Sequence, residues 1–322
     1  MRPRPWRNWP LFGSPMAGGR RRSAALAALA VGGGGVAARS ARLLWRRREV
    51  NWSPPERFTR DAYLSCQTMG AGPSPVLLLH PLGDTSAYFG SAFDELAAPG
   101  PLLVPDLLGF GGSPPSEAGY GPDDHADALA RMLDLLEVRE PALVVGHGLG
   151  GVIGLRLAAR FPGRVRALVA ISPRMYSDPG SARQHLRRAG LRVPTVSGWL
   201  PARTGRRAAR RALAPAISAD VPSRVARDRH DSRGSAAYLG TLVSCLIEAR
   251  AATWFSDVRC PVDLVLPAND RSLEVGLLER VSVENVTVRL TRLMFGDYRL
   301  PLTHPDGCLA AVDRFREQLA AR

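Results

Sequence analysis

The sequence contains no lysine, and its 43 strongly basic residues are all arginine. Without lysine the chain cannot carry the Lys-Ser/Thr ending of a phosphate-binding P-loop. Two explanations of the arginine bias stay open. The simpler one is a compositional bias towards Arg, Ala, Gly and Pro, with the charges on solvated faces. The other is a surface that holds anions, because arginine makes forked hydrogen bonds to phosphate and carboxylate.

The positive charge is confined to two parts of the chain. The net charge is +14, but residues 1–50 and residues 174–233 each carry a net +10, which leaves −6 for the remainder. A nucleic-acid-binding domain would be expected to carry its positive charge on the body of the fold. We therefore expect no nucleic-acid partner, and we expect a small-molecule ligand, with an anionic one favoured.

Paired cysteine motifs are also missing. The four cysteines are Cys66, Cys245, Cys260 and Cys308, and no two of them form a C-x-x-C pair. The sequence therefore gives no zinc or redox signature, and neither a metal nor a cofactor is expected. Cys66 and Cys260 lie in or beside apolar runs, where cysteine behaves as a small buried hydrophobe. This usage favours a reducing compartment, and the cytoplasm is the predicted location.

No apolar run is long enough to span a bilayer. The longest candidate in the first 50 residues, Ala24–Ala38, is shorter than the ~20 residues required and contains four consecutive glycines. Residues 1–50 are rich in Pro, Gly and Arg, and we predict that they form a disordered extension. A membrane contact or an export signal through residues 20–45 is the alternative.

Beyond residue 60, short apolar runs alternate with amphipathic segments, which predicts a mostly parallel sheet wrapped by helices. The predicted strands are Val76–Leu79, Leu102–Val104, Ala142–Val145, Ala167–Ile171, Val262–Leu266 and Val286–Leu290, the last at an edge. Asp123–Val138 and Gly151–Phe161 are predicted helices. The Arg-rich stretch at about 174–250 interrupts the alternation, and we interpret it as a helical cap over the ligand-binding end of the sheet.

Five motifs follow these strands in a fixed order. Gly146-His147-Gly148-Leu149-Gly150 lies between a strand and a helix, in the pattern of a nucleophile elbow, G-x-S-x-G. The companion motifs are Leu79-His80-Pro81-Leu82-Gly83, the D-x-x-G-x-G-x-S segment Asp106–Ser113, Pro267-Ala268-Asn269-Asp270, and His304 in the C-terminal section. Together they resemble the α/β-hydrolase family over residues 60–322, and imply one α/β-hydrolase domain at 51–322.

The resemblance implies a role for each residue. Gly148 takes the position of the nucleophilic serine, Asp270 that of the acid and His304 that of the base, while the backbone N–H groups of Leu82 and Leu149 form the oxyanion hole. His80 and His147 are expected to be packed structural residues. Ser113 and Ser172 also follow strands, but neither has an elbow around it.

Glycine at position 148 cannot form an acyl-enzyme, so three functions stay open. In the first, His304 and Asp270 act as a general acid–base pair on water or on a small carbonyl or ester substrate. In the second, the protein is a catalytically silent binding or scaffold protein. The third is a conventional esterase that recruits another serine. For any of these, the cap cluster of Arg203, Arg206, Arg207, Arg210 and Arg211 predicts an anionic group near the pocket.

Overall fold

The computed structural model describes residues 52–98, 100–191, 222–232 and 235–321, all of which belong to one compact unit, Arg47–Arg322. The described residues contain one eight-stranded sheet in the order β1-β2-β4-β3-β5-β6-β7-β8. The strands are β1 (Phe58–Ala62), β2 (Leu64–Met69), β3 (Val76–Leu79), β4 (Leu102–Pro105), β5 (Ala142–His147), β6 (Val165–Ile171), β7 (Val262–Leu266) and β8 (Val288–Arg292). Strands β3 to β8 run parallel to one another. The predicted α/β architecture, a mostly parallel sheet flanked by helices, is confirmed.

The first two strands were not expected from the sequence. β1 and β2 form an antiparallel hairpin, and β2 pairs antiparallel with β4. Four of the five residues of β1 are exposed, so the strand lacks the apolar run that marks the others. The hairpin turns at Tyr63, a non-glycine residue with φ +68°. Its position is set by pairing with β4, a long-range contact that local patterning does not reveal.

Eight helices lie among the described residues. They are α1 (Pro122–Leu135), α2 (Leu149–Arg160), α3 (Pro179–Arg188), α4 (Ser223–Ser232), α5 (Ala236–Thr241), α6 (Val275–Glu284), α7 (Leu300–Thr303) and α8 (Pro305–Ala320). A π-helical turn, Leu242–Ile247, continues α5. None of the helices in these ranges is both long and apolar enough to cross a membrane.

Side chains alternate between the two faces of the sheet and build a core on each. In β3, Leu77 and Leu79 pack with α1, α2 and α6, whereas Val76 and Leu78 pack with α8 and the 3₁₀ turn Ser91–Ala97. This is the two-residue period of a strand covered on both sides. The covered sheet brings the carboxyl ends of β3, β5, β6 and β7 together at one edge.

The chain between β6 and β7 includes the stretch predicted to be a cap. Its described part contains α3, α4, α5 and a 3₁₀ turn, Ala251–Ser256. Helix α4 contacts the loop after β3, since Ser232 Oγ donates to the Gly83 carbonyl at 2.7 Å and Thr85 Oγ1 donates to Asp228 Oδ2 at 2.8 Å. Residues 1–50 and the predicted arginine cluster at 203–211 lie outside the described residues.

Candidate functional site

A sharp turn between β5 and α2 has Gly148 at its apex. Gly148 has φ +56° and ψ −109°, and its N–H donates to the Ile171 carbonyl at 2.9 Å. A Cβ at Gly146 would collide with the Gly150 backbone, and one at Gly150 would collide with the Leu79 carbonyl. The turn therefore requires glycine on both sides of position 148, as the elbow pattern predicts, and its apex has a backbone that an L-residue adopts only under strain.

Tyr298 lies where a side chain at position 148 would point. A Cβ built on Gly148 would overlap the Tyr298 hydroxyl, with the ring atoms Cζ and Cε2 at 3.1 and 3.2 Å. Tyr298 belongs to the loop between β8 and α7. The space that a nucleophile would need is therefore filled by a tyrosine.

Tyr298 is part of a stack of rings between two arginines. Its ring lies 4.5 Å from that of His147, which stacks in turn on Tyr88 at 5.4 Å. The guanidinium carbon of Arg174 lies 3.7 Å from the Tyr298 ring centroid, and that of Arg229 lies 5.6 Å from the Tyr88 centroid. Such cation–π contacts stabilise a positive charge that is buried away from solvent.

The two arginines differ in how their charges are balanced. Arg229, from α4, donates to Asp84 Oδ1 at 2.5 Å; burial lowers its pKa, but the Asp84 carboxylate more than offsets this and holds the pKa above its usual range. Arg174 is 4% exposed and donates through Nε to Ser272 Oγ at 3.4 Å. It forms no ion pair with a carboxylate among the described residues. Burial lowers its pKa, but the neighbouring tyrosines and Asp270 more than offset this and hold the pKa above its usual range.

The tyrosine hydroxyl is kept in its neutral form. Burial raises the pKa of Tyr298 to about 12, although Arg174 and Arg229 pull it the other way. At neutral pH the group is a hydrogen-bond donor and a poor base. Burial likewise holds the pKa of His147 well below its usual range, with Arg174 and Arg229 adding to the shift. The Tyr298 backbone counteracts this slightly, yet neither ring nitrogen has a hydrogen-bond partner of acceptable geometry.

Asp270 and His304, the predicted acid and base, are not joined by a hydrogen bond. Asp270 Oδ1 accepts from the backbone N–H and the hydroxyl of Ser272, at 2.8 and 2.6 Å, and Oδ2 is buried without a partner in the described residues. His304 is exposed at the start of α8, with Nδ1 2.8 Å from Thr303 Oγ1 and its ring 5.3 Å from that of Phe295. Asp270 thus shapes its own turn, and His304 faces solvent.

The two amides predicted to form an oxyanion hole belong to residues that follow the paired strands β3 and β5. Leu149 is the first residue of α2, and Leu82 lies in the loop after β3. Neither backbone N–H donates to a group within the described ranges. Both are thus available as donors at the elbow, and the Leu149 amide has the positive end of the α2 dipole behind it.

The other histidine and serine candidates behave as expected of structural residues. His80 Nε2 accepts from the Leu107 N–H at 2.9 Å, which places the ring proton on Nδ1, 2.9 Å from the Pro81 carbonyl. Ser113 Oγ donates to the Asp106 carbonyl at 2.6 Å. Ser172 is fully buried at φ +47°, and its hydroxyl has no partner among the described groups. None of these residues contacts a base.

Sequence reasoning missed Tyr298, Arg174 and Arg229. Arg174 and Arg229 lie in the predicted cap region, among arginines that look alike in the sequence, and Tyr298 lies in an irregular loop without periodicity. A signal did exist for Tyr298, because it lies between the last strand and His304, in the loop from which a base would have to approach the elbow.

The sheet order and the glycine-flanked elbow define an α/β-hydrolase-type protein, and the sequence comparisons agree. Residues 74–211 match the model of the α/β-hydrolase fold family. The chain is 31% identical over 215 residues to the pimeloyl-(acyl-carrier protein) methyl ester esterase of Chromobacterium violaceum, covering 66% of this chain and 82% of the esterase. The chain therefore belongs to the α/β-hydrolase family.

Other relatives agree with this assignment. An uncharacterized protein of Mycobacterium tuberculosis is 35% identical over 103 residues, which is 32% of this chain and only 30% of the length of that relative. The solved structure of E-2-(acetamidomethylene)succinate hydrolase has a TM-score of 0.65 at 23% identity, and the match covers 81% of this chain and 100% of the other. The structural likeness extends the shared fold to most of the chain.

The elbow glycines also satisfy a second pattern. Gly146, Gly148 and Gly151 read as G-x-G-x-x-G between a strand and a helix, the form of a dinucleotide-binding turn. That site needs an acidic residue at the end of the next strand to bind a ribose hydroxyl. Here β6 is followed by Ser172-Pro173-Arg174, so the elbow is the better interpretation of these glycines.

Proposed function

We propose that this chain is a catalytically silent member of the α/β-hydrolase family that binds a small molecule at the elbow and does not hydrolyse it. The observation that carries the proposal is the Tyr298 ring over Gly148. It occupies the position that the side chain of an attacking residue at 148 would need.

Two requirements of acyl transfer are unmet around the elbow. Position 148 has no hydroxyl to attack a carbonyl. A base must lie within hydrogen-bond reach of the nucleophile, and the side chain within that reach is Tyr298, whose raised pKa keeps its proton in place. The amides of Leu82 and Leu149 are the parts that persist, and they can bind an oxygen atom without completing a reaction.

The alternative in which His304 and Asp270 activate water has less support. A general base is effective when its orienting group holds it in position. Here neither Asp270 oxygen bonds to His304, since Oδ1 accepts from Ser272 and Oδ2 has no partner among the described residues. His304 is exposed next to Thr303. A recruited serine is disfavoured too, because the Ser172 hydroxyl is buried and has no base beside it.

The proposal can be tested with a fluorophosphonate probe and with p-nitrophenyl butyrate. The unmodified chain should show no covalent labelling and no ester hydrolysis above the rate in buffer. Gly148→Ser should also stay unlabelled, because Tyr298 lies against position 148 and no histidine hydrogen-bonds there among the described residues. Gly148→Ser combined with Tyr298→His supplies both a hydroxyl and an imidazole in adjacent positions, and labelling is expected only there.

The matched control is Gly148→Ser combined with His304→Gln, which should behave like Gly148→Ser alone. Labelling of the unmodified chain would overturn the proposal in favour of a recruited nucleophile. Ester hydrolysis without labelling, lost in His304→Gln, would support the water-activating pair.

A further inference from the structure

The structure gathers several unoccupied hydrogen-bond donors and a buried positive charge beside the elbow. We propose that this donor cluster, formed by the backbone amides of Leu82 and Leu149 with the side chains of Tyr298 and Arg174, binds the carboxylate group of a small ligand. This rests on the proposed function, in that the ligand is held at a site where no acyl transfer occurs.

Arg174 provides the first argument. A buried charge is costly unless an opposite charge and hydrogen bonds accompany it. Arg174 is 4% exposed, yet its one hydrogen bond in the described structure is the 3.4 Å contact from Nε to Ser272 Oγ. The two terminal nitrogens of the guanidinium therefore have donors to spare, in the forked geometry that matches a carboxylate.

The amides provide a second and independent argument. A helix N-terminus carries a partial positive charge and unpaired N–H groups, which together favour an anion. Helix α2 has 12 residues, and its first amide, that of Leu149, is unpaired in the described structure, as is the Leu82 amide in the loop after β3. In a serine hydrolase such donors face a transient oxyanion. Without a nucleophile, the same donors can bind a stable anion such as a carboxylate.

Tyr298 connects the two groups of donors. Its hydroxyl lies against Gly148, directly before Leu149, and its ring lies 3.7 Å from the Arg174 guanidinium carbon. Arg174 and the α2 N-terminus are therefore separated by the width of one tyrosine ring. The hydroxyl has no hydrogen-bond partner among the described residues, and as a neutral phenol it adds a further donor between them.

Charge balance favours a ligand with one negative charge. The charges facing the ring stack are Arg174, Arg229, Asp84 and Asp270. Asp84 is paired directly with Arg229, whereas Asp270 bonds to Ser272 and reaches Arg174 only through that hydroxyl. The charge of Arg174 is thus compensated only indirectly. One negative charge would balance it, so a monovalent carboxylate fits better than a doubly charged phosphate.

The probes are acetate, acetamide and inorganic phosphate, added to the full chain at constant ionic strength and followed by calorimetry and thermal unfolding. Acetate should bind and raise the Tm, as a ligand of the native state must. Acetamide, of the same shape without the charge, should not. Arg174→Gln should weaken acetate binding about tenfold or more, since ionic hydrogen bonds are lost. Arg271→Gln, at an exposed arginine nearby, should leave the affinity unchanged.

Tyr298→Phe keeps the ring and its contact with Arg174 but removes one donor, and should weaken acetate binding severalfold even if Arg174→Gln fails to fold. Equal binding of acetate and acetamide, or unchanged acetate affinity in folded Arg174→Gln, would overturn the inference. Tighter binding of phosphate than of acetate would overturn the choice of carboxylate. Fluorophosphonate labelling of the same sample would refute the proposed function separately, whatever the anion result.

Discussion

The contact between Gly148 and Tyr298 makes a quantitative prediction about stability. Replacing Gly148 with alanine adds one methyl group at a position where two costs coincide. The backbone at φ +56° and ψ −109° is one that an L-residue adopts with strain of about 1–3 kcal/mol. The new Cβ also overlaps the Tyr298 hydroxyl, and overpacking of this kind costs roughly 1–3 kcal/mol.

Together the two costs predict that Gly148→Ala lowers the free energy of unfolding by about 2–6 kcal/mol. The free energy of unfolding of a typical domain is about 5–15 kcal/mol, so the change is large but measurable by urea denaturation monitored with circular dichroism. Gly190→Ala is the matched control. Gly190 also has a positive φ, +80°, but a Cβ there would meet no atom of the described residues within 4 Å, so this substitution reports backbone strain.

A double-mutant cycle separates the tyrosine from the backbone. Tyr298→Phe removes the hydroxyl that the new Cβ would meet and should by itself cost little, because that hydroxyl bonds to no described residue. In the Tyr298→Phe background, Gly148→Ala should cost less by about 0.5–3 kcal/mol, the coupling expected of residues in contact. The reasoning is refuted if Gly148→Ala costs no more than Gly190→Ala, or if the cycle shows no coupling.

Two further predictions concern stability. Burial lowers the pKa of His80, His125 and His147 below the ordinary value of 6.5. Below that pH these histidines bind protons in the unfolded chain but stay neutral in the native state. The free energy of unfolding should therefore fall as the pH drops from about 6.5 to 5, by up to ~1.4 kcal/mol per pH unit for each histidine, as urea midpoints can measure. His147→Phe should remove about a third of that slope, and an unchanged slope would contradict the assignment. Asp270→Ala should cost about 1–2 kcal/mol, because the Ser272 amide loses its acceptor, whereas Asp270→Asn, which keeps that oxygen, should cost less; equal losses in thermal unfolding would argue for a role of the charge.

The fold could be predicted from the sequence because its signals are local. An unbroken apolar run such as Val76–Leu79 fits a strand covered on both faces, and the spacing of Ala126, Leu129 and Met132 fits one face of a helix. In the structure those residues are fully buried. The hairpin of β1 and β2 has no such signal, since most of β1 faces water and its position comes from the pairing of β2 with β4.

The candidate site divides in the same way. The elbow could be predicted because close backbone packing leaves no room for a Cβ at Gly146 or Gly150. Only glycine meets that requirement, so it is visible in the sequence. The acid and base were assigned from their order along the chain, a weaker basis. Asp270 has a suitable type and place, but its Oδ1 accepts from Ser272, its Oδ2 has no partner among the described residues, and His304 is exposed beside Thr303.

An α/β-hydrolase-type chain with glycine at position 148 can be recognised from the residues alone, because strands, helices and sharp turns depend on near neighbours. The surroundings of Gly148 depend on contacts between distant parts of the chain. Tyr298, Arg174 and Arg229 come from three separate segments. The contacts of Tyr298 with His147 and Arg174, and of Arg229 with Tyr88, exist only once β5, β6, β8 and α4 are packed together. Packing between distant segments thus places a tyrosine against Gly148 and a buried arginine beside that tyrosine.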